Sequence, residues 1–146
     1  MLENIDIRSK VAVYIQIENH IQFSIASGRL KEGERLPSVR ELSETLGVNQ
    51  NTVAKAYRDL EVMGYVYTRR GMGVFIENDI TAKCRTDCRR RVITRMHEVT
   101  SEAKASGMKP KELKTVAQHS FASKAGPYQA PPESLLALAK AKPQAK

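Results

Sequence analysis

Three short groups of polar and basic side chains in this 146-residue chain have the types and spacing for nucleic-acid chemistry. The run 49–52, Asn-Gln-Asn-Thr, offers amides and a hydroxyl, and amide side chains pair well with adenine edges. Ser38 and Arg40 stand at an expected helix start, where backbone N–H groups favour a phosphate. Arg69-Arg70-Gly71 opens a glycine turn that can approach another backbone closely. These groups indicate contacts to phosphates and base edges.

The first element expected to position them is a helix over 13–27, where apolar residues recur every three or four positions. These apolar residues are Tyr14, Ile17, Ile21 and Ile25. The polar residues between them are expected at the surface: Gln16, Glu18, Asn19 and Gln22. Gly28 supplies the stop, and a connector leads to Pro37.

Two further helices separated by a very short turn are predicted next. Ser38-Val39-Arg40-Glu41 is a capping box, and Gly47 ends the helix that it begins. Asn49 can cap a third helix that stops at Gly64. Its expected inward residues are Val53, Ala56, Tyr57 and Leu60, which leaves Asn51, Lys55 and Arg58 pointing outward. Lys55 is then a candidate phosphate contact.

A β-hairpin follows the third helix. "YVYTRR" and "VFI" are rich in β-formers, and Gly71-Met72-Gly73 joins them. The order predicts a mainly α fold with a small β-wing, a winged helix-turn-helix. A second helical region is expected after it, with a helix over Cys84 to Ala105 and another from Pro110, where proline suits the first turn.

Net charge is +8, but it is unevenly distributed. Residues 1–80 hold ten Lys/Arg against eleven Asp/Glu, whereas residues 81–146 hold fourteen against five. DNA binding by the first part must therefore depend on placed side chains, and a protein-interaction module stays an alternative. Salt-dependent binding to duplex DNA distinguishes the two.

Other classes of protein are disfavoured. No run is long and apolar enough to span a membrane, and no signal peptide is evident, so a cytoplasmic location is expected. The three histidines, at positions 20, 97 and 119, lie on separate segments without a partner motif, so no enzyme and no cofactor are expected. Cys84 and Cys88 lack a second ligand pair for zinc. Small buried side chains are their favoured role, with a thiol- or metal-responsive regulator as an alternative.

The segments "GERLPSVRELSETLGV", "NTVAKAYRDLEVMGY" and "RRGMGVFI" resemble the DNA-binding domain of the GntR family of bacterial transcription regulators. The resemblance covers Val13 to Ile76. It implies DNA contacts at Arg40, at 49–52 and at Arg70 and Gly71. Family members commonly have Ser/Thr-Arg where this chain has Asn49-Gln50, which indicates a shift from guanine toward A·T recognition at one operator position.

The predicted DNA contacts combine the residue patterns with this resemblance. They are Ser38, Arg40, Asn49, Gln50, Asn51, Thr52, Lys55, Arg69, Arg70 and Gly71.

The second half resembles the C-terminal helices of the short YtrA-like branch of the family, which form a dimer. Val92, Met96, Val99 and Leu113 are the predicted dimerisation residues, although packing against the same subunit's winged domain is an alternative. The expected organisation is a DNA-binding domain over 1–79, a helical dimerisation region over 80–125 and a flexible tail over 126–146. A short helix is expected in that tail near 134–139.

Five arginines crowd the start of the long helix: Arg85, Arg89, Arg90, Arg91 and Arg95. A solvated face is the favoured interpretation, and contacts to flanking phosphates or to another subunit are the alternatives. Taken together, the sequence predicts a homodimeric repressor that occupies a pseudo-palindromic double-stranded operator. A small-molecule effector is possible and unidentified.

Overall fold

A computed structural model describes residues 5–124 and 131–140. The chain forms two compact units, residues 1–91 and 92–146. The first unit contains three helices, a two-stranded antiparallel sheet and the start of a fourth helix. These elements are α1 (Val13–Ala26), α2 (Val39–Leu46), α3 (Gln50–Val62), β1 (Val66–Arg69), β2 (Gly73–Ile76) and α4 (Thr81–Ala105). The winged helix-turn-helix predicted from the sequence is confirmed.

Helix α1 lies at the centre of the first unit. Ile17, Ile21 and Ile25 are fully buried, as their spacing predicts. The expectation of surface positions for the polar residues of α1 is wrong, because Gln16 and Gln22 are buried as well. Glu18 and Asn19 are half-buried.

The burial of Gln16 has a specific cause. Its Nε2 donates to the carbonyl oxygens of Asp6 at 2.8 Å and Val11 at 2.7 Å, and its Oε1 accepts from the Asp6 N–H at 2.9 Å. The N-terminal segment therefore folds onto α1 through one amide that satisfies three backbone groups. Helical periodicity cannot reveal such a covering segment.

The predicted caps of α2 and α3 are present. Ser38 Oγ accepts from the Glu41 N–H at 3.2 Å, and the Glu41 carboxylate accepts from the Ser38 N–H at 2.7 Å. Gly47 has a left-handed φ of 64° and ends α2. Asn49 caps α3 with its side-chain oxygen on the Asn51 N–H at 2.8 Å. This tight turn fixes where the first turn of α3 begins.

The core of the first unit includes the predicted inward face of α3, since Val53, Ala56, Tyr57 and Leu60 are all buried. Two aliphatic residues of the segment between α1 and α2 belong to the same core, Leu30 and Leu36, as do Val66 and Ile76 of the wing.

The wing is larger than the hairpin predicted from the sequence. Strands β1 and β2 pair from Val66 opposite Ile76 to Arg69 opposite Gly73. The preceding connector also pairs with β2. Arg35 forms a bridge with Phe75, and the Leu36 N–H donates to the Val74 carbonyl at 2.9 Å. The wing is therefore tied to the segment that leads directly into α2.

Helix α4 begins at Thr81, three residues before the predicted start at Cys84. Its first turn receives a cap from a distant residue: Glu32 Oε1 accepts from the Thr81 N–H at 2.9 Å and from Thr81 Oγ1 at 2.7 Å. These hydrogen bonds also lower the pKa of Glu32. The cap comes from 49 residues away, so local sequence rules miss it.

The second unit contains the rest of α4 from Val92, followed by α5 (Pro110–Ala122) and α6 (Glu133–Leu136). Gly107, with a φ of 82°, follows α4, and Pro110 starts α5, as predicted. A 3-10 helix over Ala137–Lys140 continues α6, which places the expected short helix of the tail. The flexibility predicted for 126–130 and 141–146 concerns residues outside the described ranges.

No helix within the described ranges is long and apolar enough to cross a bilayer.

Candidate nucleic-acid interface

The first turn of α3 presents an exposed polar surface. Gln50 and Asn51 are exposed and Thr52 is half-buried. Asn49 is exposed, but its side-chain oxygen is occupied by the cap. The backbone N–H groups of this turn and the two neighbouring amides are the groups that a base edge or a phosphate could meet.

The start of α2 adds a cation to this surface. The Arg40 side chain is 79% exposed and pairs through Nε with Glu44 Oε1 at 2.8 Å. A solvent-exposed ion pair of this kind contributes little net free energy, so the guanidinium can leave Glu44 for a phosphate. Ser38, whose hydroxyl caps α2, is half-buried beside it.

Lys55 is placed differently from the outward phosphate contact that the helix periodicity predicts. Its Nζ lies 2.7 Å from Asp59 Oδ2 and 4.2 Å from the centre of the Tyr14 ring. The Lys55 side chain is 45% exposed, so one side of it still reaches solvent. Its hydrogen bond to Asp59 raises the pKa of Lys55. Lys55 therefore takes part in the packing of α3 on α1, and a phosphate contact by it stays a prediction.

The tip of the wing carries two arginines, Arg69 and Arg70. Arg69 lies over the Tyr67 and Phe75 rings, with its guanidinium carbon 5.4 and 5.5 Å from their centres. Arg70 and Gly71 are exposed at the turn, and Gly71 has a φ of 74°. Arg69 is thus oriented by the strands, whereas Arg70 projects from the turn itself.

Contacts within the first unit connect the first turn of α3, the start of α2 and the wing to one another. The Tyr57 hydroxyl of α3 donates to the Pro37 carbonyl at 2.8 Å, next to the α2 cap. Burial raises the pKa of Tyr57, so this phenol stays a donor. The bridge between Arg35 and Phe75 then joins the same connector to the wing.

Arg35 is an exposed cation that is absent from the DNA contacts predicted from the sequence. A Cβ placed on Gly73 would come within 2.9 Å of Arg35 Nε, so the arginine side chain crosses the wing where only glycine leaves room. The second glycine of the Gly-Met-Gly turn was the available signal for this close approach.

The arginine cluster of α4 divides into two groups. Arg85 Nε donates to the Ala26 carbonyl at 2.9 Å, at the end of α1. Arg91 donates to Asn19 Oδ1 and lies 5.1 Å from the Phe23 ring centre. The solvated-face interpretation is therefore wrong for Arg91, which is half-buried against α1. Arg85 stays exposed although it binds the end of α1, and Arg89, Arg90 and Arg95 are exposed as well, in agreement with that interpretation.

Cys84 and Cys88 are both buried, as their favoured role predicts. The Cys84 thiol donates to the Gln22 carbonyl at 3.0 Å. Burial raises the pKa of Cys84 far above its usual range, which disfavours the reactive thiolate. Within residues 5–124 and 131–140, no three His, Cys, Asp or Glu side chains are grouped to hold a metal ion.

The predicted dimerisation residues of α4 are exposed. Val92, Met96 and Val99 keep 55%, 51% and 50% of their accessible surface. Leu113 on α5 is half-buried and, with Met96, lines an open groove of about 500 Å³ in the second unit.

This geometry defines the class: a winged helix-turn-helix protein with an exposed polar turn and a basic wing. Residues 13–76 match the model of the gntR family of bacterial regulatory proteins. The chain is 34% identical to YtrA from Sulfolobus acidocaldarius, a GntR-family transcription factor, with a TM-score of 0.51 over 64% of this chain and 99% of that one. This protein belongs to the GntR family.

Two further relatives extend the comparison. A transcriptional regulator from Oenococcus oeni is 32% identical, with a TM-score of 0.61 over 82% of this chain and 98% of that chain. The transcriptional repressor YtrA of Bacillus subtilis is 43% identical over 75 residues, which is 51% of this chain and 58% of the repressor. The chain thus spans less than two thirds of the length of that relative.

Proposed function

We propose that this protein is a sequence-specific DNA-binding transcription regulator. The observation that carries the proposal is the exposed first turn of α3, framed by the capped start of α2 with Arg40 and by the wing with Arg70 and Gly71. This is the arrangement in which a helix enters the major groove while basic groups beside it contact phosphates. Residues 1–79 would carry this activity.

We further propose that the protein acts in the cytoplasm as a homodimeric repressor by occupying an inverted-repeat operator. The name of its Bacillus relative supports repression over activation. The exposed apolar side chains of α4 support a two-fold dimer through residues 80–125, which would match a pseudo-palindromic site.

The test is a selection of fragments from genomic DNA by the purified full chain, repeated with Arg40→Ala and with Arg29→Ala as the matched control. Arg29 is an exposed arginine in the loop after α1. We expect the wild-type protein and Arg29→Ala to enrich one short inverted repeat. Because Arg40→Ala loses one phosphate contact, its enrichment should fall at least about fivefold. The negative slope of log affinity against log salt should become shallower by about one.

Two results together would overturn the proposal. No duplex would be enriched, and any residual binding to bulk DNA would not weaken as salt is raised. That result would favour the protein-interaction alternative, for which the slight acidic excess of residues 1–80 is the supporting feature. The thiol-responsive alternative is tested by adding oxidant to the same assay, where the burial of Cys84 predicts unchanged enrichment.

A further inference from the structure

Two carboxyl groups face each other where α1 packs against α3. Glu18 lies on α1 one turn after Tyr14, whose ring centre is 4.2 Å from Lys55 Nζ, and Lys55 in turn donates to Asp59 on α3 at 2.7 Å. Glu18 and Asp59 therefore share the α1–α3 contact, where a hydrogen bond joins their side chains. The Oε1 atom of Glu18 is buried, and no N–H or O–H donor reaches it from residues 5–124 or 131–140. Two ionised carboxylates are both acceptors, so they form a hydrogen bond only when one of them carries a proton.

The neighbouring charges decide which carboxyl is ionised. Asp59 Oδ2 accepts from Lys55 at 2.7 Å, and this hydrogen bond lowers the pKa of Asp59, with Arg58 acting in the same direction. Glu18 has no such donor on its buried oxygen. Asp59 is therefore the ionised member of the pair, and Glu18 holds the proton.

Besides Arg58, three charged or titratable groups lie near the pair: Lys55, Arg91 and Tyr14. Lys55 and Arg91 favour the ionised form of Glu18, whereas burial and Asp59 oppose it, and the opposing effects are larger. Burial, followed by the contact with Asp59, therefore raises the pKa of Glu18 to about 7. Tyr14 lies on the same helix as Glu18 and stacks on Lys55.

We propose that Glu18 and Asp59 share one proton and that this proton couples DNA binding by α3 to pH. The inference rests on the proposed function, because it concerns the same helix. Its structural basis is the contact chain from Glu18 to Asp59 to Lys55, which ends on the helix that carries Gln50 and Asn51.

The direction of the effect follows from the charges. Below about pH 7 the pair carries one negative charge, and above it the pair carries two. The second negative charge holds Lys55 more strongly and repels phosphates. Bound DNA, being negative, favours the protonated pair, so binding takes up a proton and is tighter at pH 6 than at pH 8. Because bound DNA raises the pKa of Glu18 further, affinity should fall about threefold from pH 6 to pH 8.

The experiment measures affinity for the duplex enriched in the genomic selection by fluorescence anisotropy at pH 6, 7 and 8 and constant ionic strength. Wild type is compared with Glu18→Gln, an uncharged mimic of the protonated state, and with Glu77→Gln, which removes one carboxylate just after β2. We expect about threefold weakening from pH 6 to pH 8 in wild type and in Glu77→Gln. The affinity of Glu18→Gln should change less between pH 6 and pH 8 than the affinity of either of these proteins.

A second measurement separates this inference from the proposed function. Carbon NMR of the Glu18 carboxyl in the free full chain, assigned by comparison with Glu18→Gln, should give a titration midpoint near 7. In Asp59→Asn this midpoint should fall. A midpoint in the ordinary glutamate range, or equal pH profiles for wild type and Glu18→Gln, would overturn the inference. Failure to bind duplex DNA at every pH would overturn the proposed function and the coupling to DNA, whereas a midpoint near 7 would still support the shared proton.

Discussion

At the scale of single residues, the first turn of α3 carries the side chains predicted to read bases. Gln50 is exposed at the first position of this helix. A glutamine amide can donate and accept at an adenine edge, whereas an arginine pairs with two acceptors of guanine. The side chain at position 50 should therefore set base preference and have little effect on folding.

Gln50→Arg is expected to change the preferred base at one position of each operator half-site to guanine. A bidentate arginine–guanine contact discriminates by about 1–3 kcal/mol, so the new preference should be roughly fivefold to a hundredfold. Selection from a randomised operator library, sequenced for both proteins, provides the measurement.

The matched control for this change is Val62→Arg, which adds the same charge to the other end of α3 at a side chain that is 87% exposed. It should strengthen binding to all sequences slightly without a change of base preference. An unchanged base preference in Gln50→Arg would contradict the assignment of Gln50 to the base-reading surface.

The burial of individual residues was predictable only where one helix face decides it. The isoleucines of α1 and the inward residues of α3 follow from spacing, since each lies on a continuous apolar stripe. Gln16 and Lys55 could not be placed in this way. Their positions depend on Asp6 and Tyr14, whose contacts with them arise only after the chain has folded.

At the scale of elements, the wing depends on Gly73, which both adopts a positive φ and leaves room for the Arg35 side chain. Gly73 has a φ of 114°, which side chains rarely adopt, and it lies against Arg35. Gly71 also has a positive φ, of 74°, but a Cβ there would meet nothing within 4 Å. Both positions therefore carry backbone strain for any other residue, and a side chain at Gly73 would also meet Arg35.

Gly71→Ala should lower the free energy of unfolding by about 1 kcal/mol through backbone strain alone. Gly73→Ala should lower it by about 2 kcal/mol, because its φ of 114° is unfavourable for alanine and the Arg35 side chain must also move. Urea unfolding followed by circular dichroism measures both. In an Arg35→Ala background the excess cost at Gly73 should shrink, and equal losses at the two glycines would contradict the role of Arg35.

The elements themselves were well predicted, because capping boxes, glycine stops and β-rich runs are local signals. The pairing of the connector with β2 and the early start of α4 were not. Both depend on partners distant in sequence: Arg35 with Phe75, and Glu32 with Thr81. The candidate DNA surface was predictable to the same extent, since its helix starts and turn are local while Arg35 is placed by a long-range contact.

At the scale of the whole molecule, the second unit leaves a row of apolar side chains in water. Val92, Met96 and Val99 recur on one face of α4, and Ile93 beside them is exposed as well. Contiguous exposed apolar surface of this kind marks an association site more often than an isolated exposed side chain does. A two-fold dimer would cover the row and present two α3 helices to an inverted repeat.

Met96→Glu is expected to dissociate such a dimer. A two-fold axis would bring two copies of the new carboxylate into one interface, and a buried unpaired charge costs about 3–5 kcal/mol. The dimer dissociation constant should therefore rise more than about a hundredfold, as measured by sedimentation equilibrium of the full chain.

The control is His97→Glu, which places the same charge one residue along on another face of the helix, at an exposed side chain. It should remain dimeric. The monomeric variant should still bind a single half-site through its intact winged unit, but should lose the added affinity for the full inverted repeat. If Met96→Glu stayed dimeric, the row on α4 would not be the interface. If the dimer were lost but affinity for the inverted repeat were unchanged, operator recognition would not depend on the two-fold symmetry of a dimer.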